Sequence, residues 1–63
     1  MTKRDYLLRL MRDFQWIGPD PAALVRNMMS EDAVDVSITA WEARQSELPE
    51  HQRVKRPERF ANG

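Results

Sequence analysis

The tetrapeptide Gly18-Pro19-Asp20-Pro21 divides this chain in two. Each proline lacks an amide hydrogen and fixes its own φ, so neither a continuous helix nor an interior strand can run through the segment. Glycine suits the position just past a helix end, and Pro19 cannot continue that helix. Asp20 followed by Pro21 is an N-cap with proline at the first helical position. One helix must stop ahead of this segment and another must start at its end.

The stretch ahead of it, residues 3–16, has the spacing of an amphipathic helix. Thr2 can cap it, with Asp5 three positions later in a capping-box arrangement. Leu7, Leu10, Met11 and Phe14 form one apolar stripe flanked by Tyr6 and Leu8, and Arg9, Arg12 and Asp13 lie on the far side. Trp16 falls on the polar side if the helix extends that far. Beyond the break, residues 21–29 place Leu24, Val25, Met28 and Met29 on one arc, with Arg26 and Asn27 away from it.

Residues 31–46 are expected to form a third helix. Ser30 is its N-cap, and Glu31, Asp32 and Asp35 occupy the first turns, where the helix dipole favours negative charge. Val34, Ile38, Trp41 and Leu48 then make a helical stripe. Val34, Val36 and Ile38 also alternate with Asp35, Ser37 and Thr39, as a strand would. No second strand of similar quality exists, so a strand over 33–40 would have to pair between subunits. Ribbon-helix-helix repressors pair strands in that way, but ahead of both helices. Helix is the stronger expectation, and the fold class is all-α: a small bundle of two to three helices spanning 3–16, 21–29 and 31–46.

Residues 1–48 form the expected helical domain. Residues 49–63 read as a flexible, basic tail, disordered when free, because two prolines and alternating charge leave little to bury. Val54 and Phe60 are its sizeable anchors. The chain has 63 residues and no cysteine, so its core is thin and disulfide staples are excluded. Helix packing, self-association or a partner must supply the stability, and a homo-oligomer, a dimer first, is expected. The longest apolar run, Ala22-Ala23-Leu24-Val25, is far short of the roughly 20 residues that span a bilayer. Arg9 and Arg12 interrupt any signal-like segment. No membrane association and a cytoplasmic location are the expectations.

Chemistry finds few candidates. The single histidine, His51, lies in the tail, where nothing sets its distance to a substrate. Ser30 and Ser37 have no histidine base on the same helix. Glu31 and Asp35 share a helix face that can hold a hard cation, although helix-terminus electrostatics explains them more simply. The two glycines, Gly18 and Gly63, make no phosphate-cradling pattern. No enzyme, no cofactor and no metal is expected.

Binding is better supported. The formal net charge is zero, but both ends are basic and the middle is acidic. Lys3, Arg4, Arg9 and Arg12 outnumber acids in the first 16 residues, and Arg53, Lys55, Arg56 and Arg59 do so in the tail. As a helix, residues 31–46 are apolar on two sides: Val34, Ile38 and Trp41 point one way, and Val36, Ala40 and Ala43 point nearly opposite. A helix apolar on two sides needs two covers, and the second can belong to another chain. Met11, Met28 and Met29 add soft surface that adapts to partners.

The expectation is a small non-enzymatic regulator or adaptor that covers a site on a larger protein. Its contact surface is Val36, Ala40 and Ala43 with the acidic rim Asp32, Asp35 and Glu42. The build is similar to that of small phage and bacterial modulators, as a class. A structural subunit that fills a gap in an assembly would share these features. The alternative is a helix-turn-helix DNA binder with residues 34–46 as recognition helix and Arg53, Lys55, Arg56 and Arg59 on phosphates. Ser37-Ile38-Thr39-Ala40-Trp41-Glu42 resembles recognition helices of phage regulators. Against it, Glu31 and Asp32 stand where that motif carries a turn glycine, and Asp32 and Asp35 would face phosphates.

Overall fold

The computed structural model describes residues 1–12, 18 and 20–61. These residues are all-helical, with no strand among them. Helix α1 is Lys3–Leu10. Helix α2 is Pro21–Ala23 and passes without a break into one π turn, Leu24–Met28. Helix α3 is Glu31–Gln45, followed by a 3₁₀ turn at Glu50–Gln52.

Each helix starts where a short polar side chain can satisfy its first amides. The Thr2 hydroxyl accepts from the Asp5 amide at 3.1 Å, Asp20 accepts from Ala22 at 2.9 Å, and Ser30 accepts from Ala33 at 3.2 Å. Such caps are each worth about 1 kcal/mol. The Thr2 hydrogen bond holds the Asp5 carboxyl below the usual carboxylate range, against some desolvation, and Arg26 adds to the effect. The helical winding expected over 3–16 is seen over Lys3–Leu10. Met11 and Arg12 then make a turn, and Phe14 and Trp16 lie outside the described residues.

The second segment has the expected bounds but a different winding. The Met29 amide donates to the Leu24 carbonyl at 3.0 Å, five residues back, instead of to Val25. A wider turn brings fewer residues back to the same face per unit of sequence, so Met28 no longer sits over Val25. Val25 is fully buried, whereas Met28, expected on the same arc, is 68% exposed. The diverted amide also leaves the Val25 carbonyl without a backbone partner. Arg4 supplies one: its Nη1 donates to the Val25 carbonyl and, at 2.8 Å, to the Met29 carbonyl. Its Nη2 reaches Glu31 Oε1 at 2.9 Å. One guanidinium from α1 thus pins the corner between α2 and α3.

Residues 33–40 are helix and not strand. Val34 and Ile38 lie one turn apart on the buried face, which a strand could offer only by pairing with another chain. Thr39, a weak helix former, turns its hydroxyl back to the Asp35 carbonyl at 3.2 Å and stays within the helix.

The core joins Tyr6, Leu7 and Leu10 of α1 to Val25, Val34 and Ile38. Leu8, Met11, Met29, Trp41, Val54 and Phe60 pack around its edge. Lys3–Asp35 at 3.0 Å and Arg26–Asp5 at 2.5 Å close it on the polar side. Exposed pairs of this kind contribute about 0–1 kcal/mol each. The molecule measures 31 × 30 × 16 Å.

The segment after α3 lies along the bundle up to Ala61, with Val54 and Phe60 as its apolar anchors. Polar contacts that composition does not show hold it as well. Arg53 donates to the Leu48 carbonyl at 2.9 Å and the Ser46 carbonyl at 3.0 Å, groups left without amides at the end of α3. The Val54 amide donates to Gln45 Oε1 at 2.9 Å. The Ala61 amide donates to the Met1 carbonyl at 2.8 Å, joining the two ends of the described chain.

Candidate functional site

Two surfaces collect the residues singled out by the sequence. The first is the outward face of α3. Val34 and Ile38 turn inward, and Val36, Ala40 and Ala43 are exposed on the opposite side, as helical spacing requires. Val36 is 69% exposed. Asp32 is exposed at the N-terminal end of this face. Asp35 stands at its flank, paired with Lys3.

Glu42 stands apart from the rest of the proposed acidic rim. It lies toward α1, where its Oε2 accepts the Tyr6 hydroxyl at 2.8 Å. Its Oε1 pairs with Arg56 at 3.1 Å. The Phe60 ring lies 5.7 Å from the Tyr6 ring at a tilt of 47°, and the Arg56 guanidinium lies over Phe60 at 5.7 Å. Tyr6, Glu42, Arg56 and Phe60 therefore form one latch that fastens the C-terminal segment to α1 and α3. Burial, first, and the hydrogen bond to Glu42, second, push the Tyr6 hydroxyl up to about 12 from 10.0.

That shift makes stability depend on alkaline pH. A group whose folded pKa is raised contributes its full stability below the unfolded value and loses it as pH rises through the folded one. Tyr6 is therefore expected to cost the fold about 2–3 kcal/mol between about pH 10 and about 12. The chain has a single tyrosine, so its tyrosinate absorbance reports on this group alone. A midpoint well above 10, coincident with unfolding, is the expected result. A midpoint near 10 in a folded chain, or an equal alkaline loss in Tyr6→Phe, would refute the assignment.

The second surface is a groove of about 790 Å³ between the end of α1 and the segment after α3. Arg9 and Arg12 stand on one side, and Arg53, Lys55 and His51 on the other, over Met1, Leu48 and Val54. The basic tail residues are thus divided by the fold. Arg53 and Lys55 enter the groove, Arg56 faces Glu42, and Arg59 is exposed elsewhere on the segment. Sequence reasoning grouped the four tail cations and left Arg9 and Arg12 out. The available signal was that both ends of the chain carry the same excess of positive charge.

Compared with known protein families, curated proteins and solved structures, the chain matches none. The residues themselves must carry the functional argument. His51 lies exposed in the 3₁₀ turn, with Gln52 Nε2 at 3.5 Å from its ring. Glu31 and Asp35 direct their carboxylates to Arg4 and Lys3. No group of three or more metal-binding side chains is assembled among the described residues. Among those residues, no helix is long and apolar enough to cross a membrane.

Proposed function

We propose that this chain is a non-enzymatic regulator or adaptor that docks on a larger protein through the outward face of α3 and works as a homo-oligomer. One observation carries the proposal: Val36, Ala40 and Ala43 form an apolar strip on a regular helix whose opposite face already supplies the core. Among the described residues, Val36, Ala40 and Ala43 stay exposed after α1 and the C-terminal segment have packed against the rest of the molecule. The acid at its end, Asp32, would set the polarity of the partner, because rim charges steer encounter and register more than they add affinity.

A photo-crosslinker placed at Ala43 in the native host should capture one larger protein, and the same group at Lys55 should not. The double substitution Val36→Asp, Ala40→Arg should abolish that product while shifting stability by less than about 0.5 kcal/mol for each exposed site. Capture that survives the double substitution would place the docking surface elsewhere. In sedimentation, the mass should rise above the 7.4 kDa of one chain as concentration increases. A mass that stays at one chain would remove the oligomer from the proposal.

A further inference from the structure

The end of the C-terminal segment, Arg56 to Ala61, is an arm held to the helices by few contacts. Arg56 pairs with Glu42 at 3.1 Å, Phe60 lies against the Tyr6 ring, and the Ala61 amide donates to the Met1 carbonyl. Among the described residues, no other hydrogen bond or ion pair ties the arm to the rest of the molecule. The Arg56 side chain is 59% exposed, and a pair so exposed adds little stability. Pro57 favours an extended backbone at Arg56 and keeps the arm from winding back on itself.

The chain is fixed up to the arm and loose where the arm begins. Arg53 donates to the Ser46 and Leu48 carbonyls, and the Val54 amide to Gln45. Lys55, which follows, is exposed and makes no hydrogen bond or ion pair among the described residues. The receiving side is costly to uncover. Tyr6 is 1% exposed, and Glu42, which accepts its hydroxyl, also holds Arg56. Lifting the arm would expose that ring and leave Glu42 without its cation. An arm that leaves must be replaced by one of the same chemistry.

We propose that this arm is exchanged between two copies of the chain, with Lys55 as the hinge, so that each copy closes the latch of the other. The occupant is a second copy because its arm carries, by identity, the Arg56 and Phe60 that Glu42 and Tyr6 already accept. The contacts that fasten the arm to α1, α3 and Met1 can be made by either copy. Exchange therefore keeps them all, which is why swapping an identical element is a low-cost route to a dimer. Six extended residues span about 20 Å, enough to cross to an adjoining copy. Self-association is the part of the proposed function on which this exchange rests, and the exchange adds which residues one copy lends to the other. The outward face of α3 takes no part and stays open to the larger partner.

Two full-length variants with opposite charge reversals test the exchange. Glu42→Arg sets arginine against Arg56, and Arg56→Glu sets glutamate against Glu42, so neither chain can close its own latch or that of an identical copy. Each alone should sediment as one chain of 7.4 kDa and melt roughly 5 °C below the parent. An equimolar mixture matches the charges only across copies, in both directions. It should give a species of about twice the 7.4 kDa mass and recover most of the lost melting temperature. Both reversals in one chain should melt near the parent, which establishes that the substitutions are tolerated. A second readout does not depend on the reversed charges. The chain has no cysteine of its own. The single-cysteine variants Glu42→Cys and Arg56→Cys should therefore form the mixed disulfide in preference to either homodimer, because exchange brings those two positions into bonding range. A mixture of the reversed variants that stays at the mass of one chain, or a statistical distribution of disulfide products, would overturn the exchange. A parent that still self-associates would then place the oligomer on another surface, whereas a parent that stays at 7.4 kDa at every concentration would remove self-association as well.

Discussion

The Leu7→Ala chain is expected to melt well below the parent, with the largest loss of stability of any single substitution at this core. Leu7 is fully buried and belongs to the cluster formed with Val25, Val34 and Ile38. Truncating such a side chain costs about 2–5 kcal/mol through lost transfer energy and the cavity left behind. A domain of this length has on the order of 3–9 kcal/mol of total stability, so the loss takes from about a quarter to all of it. The effect is amplified by the shortness of α1. Eight residues cannot sustain a helix in water alone, so α1 exists only while Tyr6, Leu7 and Leu10 hold it to the core. Thermal melting followed by circular dichroism should show a fall of roughly 15 °C or no transition at all. Val36→Ala, on the exposed face of α3, should melt within about 0.5 kcal/mol of the parent. If both variants melt like the parent, Leu7 is not part of the core and the orientation of α1 is wrong.

Arg4→Ala should produce the second largest loss, on the order of 3 kcal/mol, through polar groups and not through apolar area. The substitution strands the Val25 and Met29 carbonyls and leaves Glu31 without its cation. A part-buried acceptor without a partner costs about 1–3 kcal/mol, and hydrogen bonds from a charged donor are stronger than neutral ones. The π turn should relax as well. Without the guanidinium, the Met29 amide gains by returning to Val25, and a return to α winding would swing Met28 toward the core face. Hydrogen exchange of the Met29 amide and the solvent exposure of Met28 would report that change. Arg4→Lys keeps the charge but offers no fork to reach two carbonyls and a carboxylate together, so it should recover only part of the loss. Full recovery by lysine would show that the fork geometry is irrelevant and that charge alone matters.

The elements were legible wherever their signals are local. Thr2, Asp20 and Ser30 cap the helices that the sequence assigns to them, because a cap needs only a side-chain oxygen and an amide two or three residues away. The two faces of α3 were legible for the same reason: a regular 3.6-residue period separates Val34 and Ile38 from Val36, Ala40 and Ala43 whatever the rest of the chain does. The π winding was not legible. The Val25 carbonyl that it leaves without a backbone amide is satisfied by Arg4, 21 residues away. Glu42 lies on the flank of α3, where periodicity leaves open whether a carboxylate faces solvent or a neighbour. Tyr6, 36 residues earlier, and Arg56, 14 later, decide it.

The candidate surfaces divide along the same line. Sequence by itself determined that the chain would be helical, where its helices would begin and which face of α3 would lie uncovered, since each of these follows from neighbours within one or two turns. It also determined that positive charge would sit at both ends, but not that the ends would meet. Only the tertiary structure decided that Arg9 and Arg12 share a groove with Arg53 and Lys55, that Arg56 is drawn toward Glu42 and that Phe60 comes to rest beside Tyr6. Those placements depend on how the chain returns across α1 after α3, and that path is set by contacts between residues far apart in sequence.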